Sequence, residues 1–153
     1  MITAVAKDEK TGTAITKKES GEFAIVDIAT NTMIPIEGVT EAEVDKFVEA
    51  TTFEKCNIVY YNIDDLIKEL TDAHVNYIKS APIEDFKTPE VSFQLMTGNE
   101  KMLVGVLRHI KKFMLPNGRL DIAKIIAKSA LANPYSYNYR IRDEFREIMY
   151  MKE

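Results

Sequence analysis

The chain has 153 residues, 46% of them hydrophobic and 29% charged, a composition that excludes global disorder and is enough to bury a core. Its net charge of −4 is unevenly laid out: residues 1–100 carry 9 Lys/Arg against 19 Asp/Glu, and residues 101–153 carry 11 against 5. A single cysteine, Cys56, excludes an internal disulfide, and no apolar run approaches the roughly 20 residues of a membrane span.

The N-terminus, Met1 to Ala6 followed by Lys7, Asp8, Glu9 and Lys10, lacks the order of charges and apolar residues of a signal peptide. These features predict a cytoplasmic protein. Residues 2–36 read as a β-meander. Ile2–Ala6 is short and apolar, and Thr13–Lys17 is rich in β-branched residues. Glu22–Ile28 contains Phe23, Ile25 and Val26. Turn signals separate these strands at Lys10-Thr11-Gly12, Glu19-Ser20-Gly21 and Thr30-Asn31. Met33–Ile36 forms a fourth strand at an edge, or no strand, because Pro35 has no N–H to donate.

Thr40-Glu41-Ala42-Glu43 fits a capping box and opens a helix that ends near Thr51, with Val44, Phe47 and Val48 on one face. Asn57–Tyr61 reads as a strand. Asn62 caps a helix over residues 63–80, with Ile63, Leu66, Ile67, Leu70, Tyr77 and Ile78 recurring at helical spacing. Asp64 and Asp65 sit in its first turn and Lys79 near its last, as the helix dipole favours. Pro82 stops it. Val91, Phe93 and Leu95 alternate with polar or adaptable residues as in a half-buried strand. No internal repeat is apparent.

A second capping box at Thr97–Glu100 opens a helix over 99–114, whose buried stripe is Leu103, Val106, Leu107, Ile110, Phe113 and Met114. Leu115-Pro116-Asn117-Gly118 stops it. A helix over 119–131 buries Ile122, Ile126 and Ala130, with the small residues Ala123 and Ala127 admitting a close neighbour. The last arm is read as a helix over about 136–150, with a strand over 135–141 as the alternative. The fold class expected is α+β: one domain over 1–153, its N-terminal portion (1–98) acidic with a mostly antiparallel sheet and two covering helices. A basic block of three helices occupies 99–153. The expected core includes Phe23, Ile25, Val44, Phe47, Val59, Leu66, Ile67, Leu70, Phe93, Leu103, Leu107, Ile110, Ile126, Phe145 and Ile148.

Two charged regions are candidate binding surfaces. On the basic side, Lys101, Arg108, Lys111 and Lys112 lie on the first C-terminal helix, and Lys124 and Lys128 on the second. On the acidic side, Glu41, Glu43, Asp45 and Glu49 occupy one helix. Such faces suit a protein partner, and their opposite signs also allow copies of the chain to associate. The final arm interleaves Tyr135, Tyr137 and Tyr139 with Arg140, Arg142 and Arg146, the chemistry that nucleic-acid binders use on phosphates and bases. Asp143, Glu144 and Glu147 dilute it. On the nucleic-acid reading, Asn138, Arg142 and Arg146 enter the major groove.

Catalytic, cofactor and metal signatures are not assigned. His74 falls on the apolar side of its helix, as a structural histidine does, and His109 among Arg108, Lys111 and Lys112 reads as a surface residue. Cys56 has no identified base, the two histidines and one cysteine form no metal spacing, and no glycine precedes a Lys-Ser/Thr pair. The expectation is a non-enzymatic interaction protein, a small regulator, inhibitor or assembly factor, with DNA or RNA binding through the basic block as the alternative.

Overall fold

A computed structural model describes residues 1–87, 100–132 and 138–152, with the side chains of Glu100, Lys101 and Met102 not described. It divides into two compact units, Met1–Tyr77 and Ile78–Glu153. The strand expected at Val91–Met96, with Phe93, and the capping box at 97–100 lie outside the described residues.

The first unit is built on a five-stranded antiparallel sheet in the order β4-β3-β2-β1-β5. Its strands are β1 (Ile2–Asp8), β2 (Thr13–Lys18), β3 (Phe23–Asp27), β4 (Thr32–Ile36) and β5 (Glu54–Tyr60). The fourth strand exists, and Pro35 sits on it at the sheet edge, where its missing N–H breaks no ladder. β5 starts earlier than the apolar run Asn57–Tyr61. A bulge sets Cys56 and Asn57 of β5 against Val5 of β1, so its first residues pair out of the alternating pattern.

Helix α1 (Glu41–Ala50) begins at Thr40, whose Oγ1 accepts from the Glu43 amide at 3.2 Å and donates to the Glu43 carboxylate at 3.1 Å. Its Val44 joins Ala6, Ile15 and Phe23 in a small core, with Val5, Val39, Val48 and Phe53 packed around it. Two expected core residues are elsewhere. Phe47 is 45% exposed, because Val44 and Val48 take the sheet contact and the Phe47 ring turns aside onto Phe53, centroids 5.3 Å apart. Val59 is 55% exposed: it pairs with Thr3 near the start of β1, and a ten-residue helix, about 15 Å long, does not cover the whole sheet face.

Residues of the other sheet face, Ala4, Ala14, Thr16, Ala24 and Val26, are fully or almost fully buried. Helix α2 (Ile63–Ser80) starts where Asn62 Oδ1 accepts from the Asp65 amide at 3.0 Å. It buries Leu66, Leu70 and His74 at successive turns. Two hydrogen bonds tie it to the strands: Tyr60 Oη donates to Glu69 at 2.6 Å, and His74 Nδ1 lies 2.6 Å from the Glu9 carbonyl.

The sheet contains a repeated element that the sequence reading missed. The β1–β2 and β3–β4 connections are both Asp-x-x-Thr-x-Thr, starting at Asp8 and Asp27. In each, the Asp carboxylate accepts from a backbone amide two residues on, Lys10 at 3.1 Å and Ala29 at 2.9 Å. It also accepts from a threonine hydroxyl, Thr11 at 2.8 Å and Thr30 at 3.4 Å. That threonine then shares a hydrogen bond with the next, Thr13 or Thr32. The residue between the threonines is left-handed in both: Gly12 at φ 69° and Asn31 at φ 52°. Asx-type turns close a hairpin this way.

In the second unit, a 3-10 turn (Ile83–Phe86) precedes α3 (Glu100–His109). A π-helical turn, Ile110–Met114, and a 3-10 turn, Leu115–Asn117, follow, and left-handed Gly118 ends the segment. Helices α4 (Leu120–Ala132) and α5 (Tyr139–Tyr150) complete it. Ala123, Ala127 and Ala130 of α4 are fully buried, and α4 packs closely on α5, the approach that small side chains permit. Asn138 caps α5, its Oδ1 accepting from the amides of Arg140 and Ile141. Residues 139–141 are therefore helical, which overturns the strand alternative there. Arg119 links two helix ends: its Nη1 donates to the Ile78 and Ala81 carbonyls at 2.8 and 2.7 Å, while its Nε and Nη2 grip both oxygens of Asp121. That pairing holds the Asp121 carboxyl below the usual carboxylate range.

A Cβ at Gly12 would lie 2.6 Å from Ile28 Cδ1, whereas one at Gly21 meets nothing within 4 Å. Both have positive φ. Gly12→Ala is expected to cost about 2 kcal/mol or more and Gly21→Ala about 1 kcal/mol, in urea denaturation followed by circular dichroism. Arg119→Ala orphans two carbonyls and a carboxylate, and its expected cost is about 2–3 kcal/mol by the same measurement.

Candidate functional site

His74, Cys56 and Tyr60 are engaged in the packing of the first unit. His74 is fully buried. Desolvation pulls its pKa down, and its hydrogen bond to Glu9 and the charges of Asp8 and Asp27 offset this only in part. Its ring carbon Cγ approaches the Gly12 Cβ position at 3.3 Å, so the histidine packs directly on the first Asp-x-x-Thr turn. Cys56 donates from Sγ to the Ala4 carbonyl at 3.3 Å, and burial pushes its thiol pKa up despite Lys7 nearby. Few thiolates then form at neutral pH, the opposite of an activated nucleophile. Burial and the hydrogen bond to Glu69 raise Tyr60 well above its ordinary value. Among the described residues no group of three or more His, Cys, Asp or Glu side chains is placed to hold a metal ion.

His109 departs from its expected surface position. It is buried, with its ring 5.1 Å from that of Phe113. Position 109 lies three after Val106 and four before Phe113, so it belongs to the apolar stripe; that spacing was readable, but the flanking cations drew the assignment outward.

The charge split follows the two units. Met1–Tyr77 carries 7 Lys/Arg against 15 Asp/Glu (−8), and Ile78–Glu153 carries 13 against 9 (+4). On α1, Glu41, Glu43, Lys46, Phe47 and Glu49 are exposed, with Phe47 one turn from Glu43. Asp45 is half-buried and pairs with Lys55 at 3.2 Å, and Glu41 approaches Lys17 at 3.9 Å. These two ion pairs flank a groove of about 460 Å³, with Val5, Phe23, Val44 and Val48 among its apolar lining.

On the second unit, Arg108, Lys128 and Arg140 are exposed and Lys124 is half-buried. Several cations are already engaged. Lys111 pairs with Glu144 at 2.6 Å, Lys112 lies over the Phe113 ring, and Arg146 meets Asp143 at 3.4 Å. Arg142 donates to the Leu131 carbonyl at 3.2 Å, capping the end of α4. Tyr139 is 82% exposed, whereas Tyr135, Tyr137 and the Lys101 side chain fall outside what is described. No helix among the described residues is long and apolar enough to cross a membrane. Comparisons with protein-family models, with curated proteins and with solved structures find no match to this chain.

The buried histidine sets a pH dependence. Its folded pKa lies below the ordinary value of about 6.5, so the unfolded chain binds the proton first as pH falls. His74 therefore contributes full stability above about pH 6.5 and loses it as pH drops from there toward the folded pKa. Urea denaturation from pH 7.5 down to about 5 is expected to show this loss, at most about 1.4 kcal/mol per pH unit. His74→Gln protein should have a shallower slope; an unchanged slope would remove His74 as its source.

Proposed function

We propose that this protein is a non-enzymatic interaction module, a small regulator, inhibitor or assembly factor, that binds a larger protein or complex through charged helix faces. The observation that carries the reading is α1: Glu41, Glu43 and Glu49 face solvent, and Phe47, one turn from Glu43, is exposed with them. An exposed aromatic beside a carboxylate suits a protein partner, and carboxylates steer a basic one during encounter. The commitments of His74 and Cys56 to packing support binding over chemistry. A cytoplasmic location belongs to the same proposal.

A second reading, DNA or RNA binding by the basic block, draws support from the exposed Arg108, Lys128 and Arg140. It is the weaker one. Asn138 and Arg142, two of the three residues assigned to base reading, spend their side chains on helix caps, and Arg146 is paired with Asp143.

The test is affinity capture from host lysate with and without nuclease. A protein captured under both conditions is expected, and its binding should fall at least about tenfold with the Glu41→Lys, Glu43→Lys, Glu49→Lys variant while circular dichroism stays native. Undiminished capture by that variant overturns the role of α1. Capture that nuclease abolishes favours the second reading, and duplex binding should then weaken with salt at a log–log slope of about −0.9 per phosphate contacted.

A further inference from the structure

We draw no further inference here: the strongest candidate, the groove between α1 and strands β1, β2 and β5, sets Lys17, Lys18 and Lys55 against Glu19, Glu41 and Asp45, with Lys17 on Glu41 and Lys55 on Asp45, so its balanced charges select no ligand and nothing in the structure shows what fills it.

Discussion

The buried carboxylate of Asp8 is the point on which the first unit depends. It is 1% exposed, and burying such a group costs several kcal/mol unless donors surround it. Three do: the Lys10 amide and the hydroxyls of Thr11 and Thr52. The first two close the β1–β2 turn. The third reaches across the sequence to the segment between α1 and β5. One side chain therefore positions both neighbours of β1, β2 and β5. His74 adds α2 to the same place, packing on Gly12 and bonding to the Glu9 carbonyl. Because Thr52 follows the end of α1 closely, the same anchor limits how far that helix can shift, and a fixed helix holds its charged face in one geometry.

Much of this architecture was legible because local signals agreed. Thr40 and Asn62 cap helices where their spacing to Glu43 and Asp65 says they should. Pro35 could lie only on an edge, and it does. The alanines of α4 implied a close neighbour, and α5 packs there. The errors share a cause: burial is decided by what stands opposite, which one-dimensional periodicity does not contain. Phe47 and Val59 fit their patterns and are exposed, because Val44 and Val48 take the sheet contact of α1 and that short helix leaves Val59 on the outermost strand uncovered. His109 fits an apolar stripe and was assigned from its charged neighbours instead. The paired Asp-x-x-Thr-x-Thr turns were visible as letters, but their meaning needs the hydrogen bonds. An Asp two residues before an amide is common; two such turns with the same threonine relay are not.

The charged surfaces were legible as sequence and only partly as site. Ion pairing removes Asp45 and Lys111 from the freely solvated set, and Arg142 is a helix cap. Surface pairs of this sort contribute little to stability, about 0–1 kcal/mol each, so their main effect here is to change which charges a partner meets. After these are set aside, the acidic face of α1 keeps Glu41, Glu43 and Glu49 exposed, Glu41 near Lys17 and Glu43 bonded to Thr40, while the arm that most resembled a nucleic-acid reader keeps Arg140 and a paired Arg146. That difference supports the protein reading, already the first expectation from the sequence, over nucleic acid.

The central claim is that a charged helix face, rather than a chemical centre, carries function. Hydrogen exchange read by mass spectrometry, on the chain alone and in complex with its captured partner, tests it most directly. The account predicts slowed exchange over residues 41–50 and the adjoining surface of the first unit. Protection confined to residues 100–114 and 120–132, with 41–50 unchanged, would contradict it.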